Sequence, residues 1–289
     1  MTRIDTALRD ATAALKAAGC DSPRLDAVLL LAEATGLSPD RVRIETDTKI
    51  APEAAARFAA LLERRIGRQP MAQILGRREF WSLTFSVTPD VLDPRPDSET
   101  LVAAVLARVP DRQAKLRLLD FGTGSGCLLL SLLHELPQAS GLGIDRSAAA
   151  LAVARRNAAS LQLDHRAAFQ PGDWGAGLAG PFDIVISNPP YIESAALAAL
   201  EPEVARHEPP GALDGGADGL EAYRRLIPDA ARLLQPASLL NPGGLVALEI
   251  GQGQEAAVAA LLEQAGFGAV ALEADLGGTI RALLARKSR

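Results

Sequence analysis

The run Phe182-Asp-Ile-Val-Ile-Ser187 has the composition of a buried strand and passes directly into Asn188-Pro189-Pro190-Tyr191. Each proline holds φ at about −65°, and a residue before proline is pushed to extended backbone, so Asn188 and Pro189 sit in a stiff loop. Prolines donate no N–H. The Pro189 carbonyl is therefore left as an acceptor beside the Asn188 side-chain oxygen. Two neighbouring acceptors match the two N–H bonds of a planar –NH₂ group, and Tyr191 offers a ring for that group to stack on. An amide or aromatic amine is a poor nucleophile because its lone pair is delocalised. Holding both N–H bonds points nitrogen density at an electrophile and lowers the barrier through positioning. Asn188, Pro189 and Tyr191 are the candidate catalytic residues, and with Pro190 they form the candidate acceptor-binding set.

The electrophile needs a site of its own. Leu118-Leu-Asp120-Phe-Gly122-Thr123-Gly124-Ser125-Gly126 ends an apolar strand and opens a helix, with glycines that let backbone approach a ligand closely. Such turns also bind dinucleotides, which keeps a dehydrogenase open at this point. Gly141-Leu-Gly-Ile-Asp145 puts a carboxylate at the next strand end, placed to accept from ribose hydroxyls. Gly172-Asp173-Trp174 follows the third strand, where a carboxylate or ring can flank an adenine. S-adenosylmethionine carries no phosphate, so the glycine turn would face its amino-acid part, with Asp120 a partner for the ammonium. The candidate cofactor set is Asp120, Gly122, Thr123, Gly124, Ser125, Gly126, Asp145, Asp173, Trp174 and Asn188. Carboxylates on successive strand ends resemble class I methyltransferases. No Ser-His-Asp set, metal cluster or phosphate-binding lysine competes, and no metal is expected.

The elements that must carry these residues follow from periodicity. Apolar residues recur at helical spacing from Ile4 to about Gly67, including Leu8, Ala11, Leu15, Val28, Phe58 and Leu62, which predicts a small helical domain over 1–70. Arg64, Arg65 and Arg68 end its last long helix, where cations suit the dipole on a solvated face. Phe80, Leu83, Phe85 and Val87 predict a β-hairpin linker within 71–95. From 96 to 289 strands alternate with helices, predicting a methyltransferase domain: an open, mostly parallel α/β sheet covered on both faces. The two closing strands have no helix between them, so the last runs antiparallel.

Composition narrows the function classes. With 48% hydrophobic and 22% charged residues the chain is globular. No segment reaches the ~20 apolar residues of a membrane span, and no secretory signal is visible, so a cytoplasmic protein is expected. Cys20 and Cys127 lie in different regions, and His134, His165 and His207 are scattered. A formal net charge of −5 argues against reliance on sequence-independent phosphate binding.

Taken together these blocks resemble the release factor glutamine methyltransferases, the PrmC/HemK family. The resemblance runs through Ser22-Pro-Arg-Leu-Asp-Ala, Pro94-Arg-Pro-Asp-Ser-Glu99, Asp120-Phe-Gly-Thr-Gly-Ser-Gly126, Asn188-Pro-Pro-Tyr191 and Glu208-Pro-Pro-Gly-Ala-Leu-Asp-Gly-Gly-Ala-Asp-Gly-Leu220. It implies a class I, Rossmann-like methyltransferase domain behind a helical substrate-recognition domain, and methylation of the glutamine in the Gly-Gly-Gln tripeptide of peptide-chain release factors. It also implies that Gly122 to Gly126, Asp145, Trp174 and Asn188 line S-adenosylmethionine while Asn188 through Tyr191 hold the glutamine amide. A monomer acting on a protein, without membrane or direct nucleic-acid contact, is expected. Two departures stand out: Ser98 where the family often has threonine, and Thr279-Ile280-Arg281 in place of a more polar stretch, which leaves the sheet edge open. The tetrapeptide is shared with N6-adenine DNA or RNA methyltransferases, the alternative enzyme, which would call for a basic groove. A non-catalytic S-adenosylmethionine-binding protein would call for a damaged motif, and both motifs are intact.

Overall fold

The computed structural model describes residues 2–235 and 243–287. The expected methyltransferase domain over 96–289 thus includes short stretches, 236–242 and 288–289, outside the described residues. The chain divides into two compact units. One comprises the residues up to Arg77 together with Glu201–His207, and the other comprises Arg78–Leu200 and the chain from Glu208 onward.

The first unit is helical: α1 (Ile4–Ala17), α2 (Pro23–Thr35), α3 (Pro39–Ile44), α4 (Pro52–Ile66) and α5 (Met71–Leu75). Ile4, Leu8, Ala11 and Leu15 fall three and four apart on the buried face of α1 and pack with Val28, Leu30, Leu31 and Phe58. Pro23, Pro39 and Pro52 each open a helix, where the missing N–H costs nothing. Helices α3 and α5 are too short to leave a periodic signature and went unpredicted. Of the three arginines expected on a solvated face, Arg64 is exposed, whereas Arg65 and Arg68 are not. Arg65 is only 6% exposed. Its Nε donates to Asp26 Oδ2 at 2.8 Å, and its Nη1 donates to Glu203 Oε1 at 2.8 Å. Arg68 Nε also donates to Glu203 Oε1, at 2.6 Å. Glu203 lies on α9 (Pro202–His207), a segment of the long connection that packs with the helices. Helical spacing shows where a cation points along its own helix, but not a carboxylate that arrives 138 residues later.

From Arg78 the second unit opens with a hairpin of β1 (Arg77–Phe80, its first residue the last of the helical unit) and β2 (Leu83–Ser86). Its turn residues Trp81 and Ser82 both take positive φ without glycine. That strain is offset by two anchors: the Trp81 backbone N–H donates to Glu99 Oε1 at 2.7 Å, and its indole N–H to Glu135 Oε1 at 2.9 Å. Phe80 and Phe85 enter the core of the sheet unit.

Among the described residues seven further strands form the main sheet: β3 (Arg117–Phe121), β4 (Ser140–Asp145), β5 (Ala167–Pro171), β6 (Ile184–Ser187), β7 (Leu245–Glu249), β8 (Ala271–Ala274) and β9 (Ile280–Arg286). Their order is β5-β4-β3-β6-β7-β9-β8. All neighbours from β5 to β7 are parallel, whereas β9 runs antiparallel to both β7 and β8. Ile280 and Arg281 therefore begin an internal strand, and the edge is β8. Strand side chains alternate between two cores. Leu118, Ile184, Ile186 and Leu245 face the core that holds residues of α6 (Glu99–Ala107), α7 (Cys127–Glu135) and α8 (Ala148–Ser160). Leu119, Val185, Val246 and Leu248 face the core with α10 (Glu221–Leu233) and α11 (Glu255–Gln264). Burial on both faces is why these strands read as unbroken apolar runs.

Strand order reverses at β3, whose neighbours β4 and β6 lead outward in opposite directions. This is the switch point where open α/β sheets bind ligands beyond the carboxyl ends of their strands. Phe121 pairs in register with Ser187, and Ser187 with Leu248. The glycine turn, the Asn188 loop and Glu249 consequently leave the sheet side by side, one strand spacing of about 4.8 Å apart.

Candidate functional site

The turn after β3 has the conformation its glycines suggest: Gly122, Gly124 and Gly126 all take positive φ, at 67°, 53° and 81°. A β-carbon on Gly126 would also lie 3.1 Å from Leu130 and 3.3 Å from Ala154. Asp145, at the end of β4, faces this turn. Its Oδ2 accepts the Gly124 N–H at 2.9 Å and its Oδ1 the Ser147 N–H at 2.9 Å. Each carboxylate oxygen retains a second lone pair for a hydroxyl. Asp120 is buried beneath the turn. Thr123 donates to its Oδ2 at 2.7 Å, while Oδ1 has no partner among the described residues. Burial pushes the Asp120 carboxyl up to about 7, with the neighbouring Asp145 adding to the rise and Thr123 opposing it. Ser125 is buried, and its carbonyl accepts from Asn157 Nδ2 at 2.9 Å; Asn157 Oδ1 in turn accepts the Ser86 N–H at 2.7 Å. Trp174 stands across the turn with its ring edge-on to Phe121, centroids 6.3 Å apart. The half-exposed carboxylate of Asp173 pairs with Arg225 on α10.

An orphaned buried acceptor, a turn open to close approach and a carboxylate fixed across it fit the amino-acid end and ribose of S-adenosylmethionine. The turn needs no phosphate to complete it.

The second half of the site is the Asn188 loop. Asn188 Nδ2 donates to Ser98 Oγ at 3.2 Å. Ser98 ends a short 3₁₀ turn, Pro96–Ser98, that leads into α6. Pro189 is buried, and among the described residues no group donates to its carbonyl. Tyr191 Oη donates to Glu249 Oε1 at 3.4 Å, and the Tyr191 carbonyl accepts from Gln254 Nε2 at 3.0 Å. Burial, with Glu249 nearby, raises the Tyr191 phenol above its ordinary range. The backbone after Tyr191 is clasped by the glycine-rich block that follows α9. Ile192 N–H donates to the Leu213 carbonyl at 3.0 Å, and Gly215 N–H returns to the Ile192 carbonyl at 2.8 Å. A β-carbon on Gly215 would lie 2.7 Å from Tyr191 Cα, so only glycine permits the approach. Glu249 is 2% exposed, and burial pushes its carboxyl up to about 7.

The structure therefore gathers Asp120, the turn from Gly122 to Gly126, Asp145 and Trp174 at one end of the switch point, and Asn188 through Tyr191 at the other. Ser98, Glu249, Gln254 and Asn157 were not anticipated. One signal was available: Leu245-Val-Ala-Leu-Glu249 is an all-apolar strand ending in a carboxylate at the functional edge, and a buried charge needs a reason.

This sheet, with the glycine turn and the Asn188 loop at its carboxyl edge, defines a class I S-adenosylmethionine-dependent methyltransferase. A methyltransferase from Pyrococcus furiosus shares the fold at a TM-score of 0.51 and 17% identity, over 81% of this chain and 100% of that one. The family model described as the PrmC N-terminal domain matches residues 6–76, and the one described as the methyltransferase small domain matches residues 96–205. The release factor glutamine methyltransferase of Rhodospirillum rubrum is 51% identical over 94% of this chain and 82% of its own length. That of Cereibacter sphaeroides is 46% identical over 98% of both. The chain belongs to the release factor glutamine methyltransferase family.

Proposed function

We propose that this protein transfers the methyl group of S-adenosylmethionine to the side-chain amide nitrogen of the glutamine in the Gly-Gly-Gln motif of a peptide-chain release factor. The observation that carries this reading is the pair of acceptors, Asn188 Oδ1 and the Pro189 carbonyl, on the loop that follows β6, the strand beside β3 and its glycine turn. S-adenosylmethionine supplies a methyl carbon made electrophilic by its sulfonium. The turn from Gly122 to Gly126 admits its amino-acid part, Asp120 Oδ1 accepts from the ammonium, Asp145 accepts from the ribose hydroxyls, and Trp174 flanks the adenine. Asn188 and Pro189 hold both N–H bonds of the glutamine amide, and Tyr191 packs against its plane.

A tripeptide has too few atoms to be selected tightly by such a loop, so discrimination among glutamines needs a wider surface on the partner. We assign that role to the helical unit. The net charge of −5 favours a protein acceptor over a nucleic acid. No helix among the described residues is long and apolar enough to cross a membrane. A cytoplasmic monomer accords with these features.

The test is to incubate the full-length protein with labelled S-adenosylmethionine and, separately, a release factor, a short Gly-Gly-Gln peptide and adenine-containing DNA, then to locate the methyl by mass spectrometry. Methylated glutamine in the intact factor, with the peptide a poor acceptor, is expected. Equal efficiency on peptide and whole factor would remove the reader role of the helices, and methylation of DNA alone would move the acceptor to adenine.

A further inference from the structure

Residues 208–214 carry the chain from α9 back toward the sheet, and the proposed chemistry gives them no role of their own. Their path can be traced by their bonds. At the start the buried Glu208 side chain accepts the Asp93 N–H at Oε2, at 3.2 Å, and an Arg95 Nη2 hydrogen at Oε1, at 3.3 Å. At the end the Leu213 carbonyl accepts the Ile192 N–H, and Asp214 bridges Ile192 in parallel. Between them the Gly211 carbonyl accepts from Arg146 Nη2 at 3.2 Å. Arg146 follows Asp145 at the end of β4, and Ile192 follows the loop after β6. Those two strands flank β3 on opposite sides, so their ends stand two strand spacings, roughly 10 Å, apart. A stretch bonded to both, with only Ala212 between Gly211 and Leu213, passes over the carboxyl end of β3, where the glycine turn begins. It is a strap across the crevice.

The three attachments differ in kind. The outer two are a buried carboxylate and paired backbone, whereas the middle one is a single bond from an exposed arginine to a main-chain carbonyl. Within the strap the Ala212 N–H donates to the Pro209 carbonyl at 2.9 Å, and the Leu213 and Asp214 N–H groups donate to the Pro210 carbonyl at 3.1 and 3.0 Å. Two prolines stiffen this turn further, so it moves as one piece. Gly211 does not take positive φ, and the turn itself therefore has no need of a glycine there. The guanidinium does need it: a β-carbon on Gly211 would fall on Arg146, to which its three nearest atoms would all belong.

We propose that Arg146 is a positioning residue that latches this strap across the cofactor crevice, and that S-adenosylmethionine and its product S-adenosylhomocysteine exchange only while the Arg146–Gly211 bond is open. This rests on the reading of the glycine turn, Asp145 and Trp174 as the cofactor site. With both ends anchored, opening the one exposed bond frees the middle of the strap and leaves the rest of the fold in place. Closed, the strap keeps water from the crevice during transfer. Both partners of the latch are the chain's own, so loosening it favours the open form of the free and the loaded enzyme alike. Entry and exit each scale with the open fraction, so both rates rise together and their ratio, the affinity, holds. Loss of an ordinary ligand contact behaves differently: exit quickens, entry does not, and affinity falls.

The experiment mixes the full-length protein with S-adenosylmethionine or S-adenosylhomocysteine in a stopped-flow instrument, follows association and displacement by tryptophan fluorescence, and takes the affinity from calorimetry. Wild type, Arg146→Ala, Gly211→Ala and the double variant are compared. Arg146→Ala removes the donor, and Gly211→Ala keeps it but pushes it off the carbonyl. Each single variant should raise the association and dissociation rates together by roughly threefold to tenfold, the weight of one exposed hydrogen bond from a charged donor, with Kd held within about twofold. The double variant should be no faster than either single one, because both remove the same bond. If the wild type binds S-adenosylmethionine and both single variants keep its rates, the latch is overturned and the cofactor reading stands. Dissociation that quickens while Kd weakens in step makes Arg146 a plain ligand contact, and rates that multiply in the double variant uncouple it from Gly211; either result overturns the latch. A wild type that binds no S-adenosylmethionine overturns the cofactor reading and the latch with it.

Discussion

The two halves of the site are built in different ways. On the cofactor side one continuous stretch, Asp120 to Gly126, supplies the turn, its buried acceptor and its internal bond from Thr123, and Ile144, Asp145 and Asn157 reach in to fix it. On the acceptor side four residues supply the surface, but their posture is set by Ser98, Leu213, Gly215, Glu249 and Gln254, drawn from three distant parts of the chain. A ligand met by backbone can be served by a local motif, because glycine φ angles are written into consecutive residues. A ligand met by side-chain acceptors needs those side chains oriented, and orientation comes from packing partners that the fold alone brings near.

That contrast can be broken most forcefully at Gly124. Valine there combines a β-branched side chain with φ of 53° and blocks the approach, so calorimetry on Gly124→Val should show S-adenosylmethionine affinity down by more than about 100-fold. Binding within a few-fold of wild type would mean that the cofactor lies elsewhere. A distant support on the acceptor side should give a smaller and differently placed effect. Gln254→Ala removes the bond to the Tyr191 carbonyl and should cost roughly tenfold in kcat with cofactor affinity unchanged, since a loosened loop loses positioning rather than binding. A fall in cofactor affinity instead would show that the two halves are not separable.

The smallest expected effect separates the halves by pH. The carboxyl of Asp120 is raised in the folded protein, so the stability it contributes to the free enzyme is full below its unfolded value of 3.8 and is lost as pH rises through about 7. Cofactor affinity should run the other way. An ionised Asp120 attracts the ammonium, so binding should strengthen by roughly threefold to tenfold as pH climbs through about 7, and Asp120→Asn should flatten that slope. An affinity that does not change with pH in the wild type would remove Asp120 from the ammonium site.

The same contrast explains what the sequence made legible. Strand and helix order, the antiparallel last strand, the glycine turn and the Asn188 loop all rest on patterns within a few residues, and each is present in the structure. Ser98, Glu249 and Gln254 are ordinary polar residues until strand order brings them to Asn188 and Tyr191. The carboxylate of Asp173, in the block expected beside the cofactor, pairs with Arg225, a partner that no local pattern announces. Arg65 shows the same gap in the helical unit. Helix position alone suggested solvent, whereas Asp26 and Glu203 bury it.

The chain enters the helical unit twice, first up to Arg77 and again at Glu201–His207, and this bears on how such enzymes can be recombined. A chimera that exchanges only the N-terminal stretch would remove Arg65 and Arg68, and Glu203 on α9 would lose both partners wherever the incoming stretch has no cation at the same places. Removing one partner of a buried ion pair costs about 3–5 kcal/mol, enough to unfold a marginal domain. A graft meant to transplant acceptor preference must therefore carry two separate pieces of the gene, one of them lying within the stretch that encodes the methyltransferase.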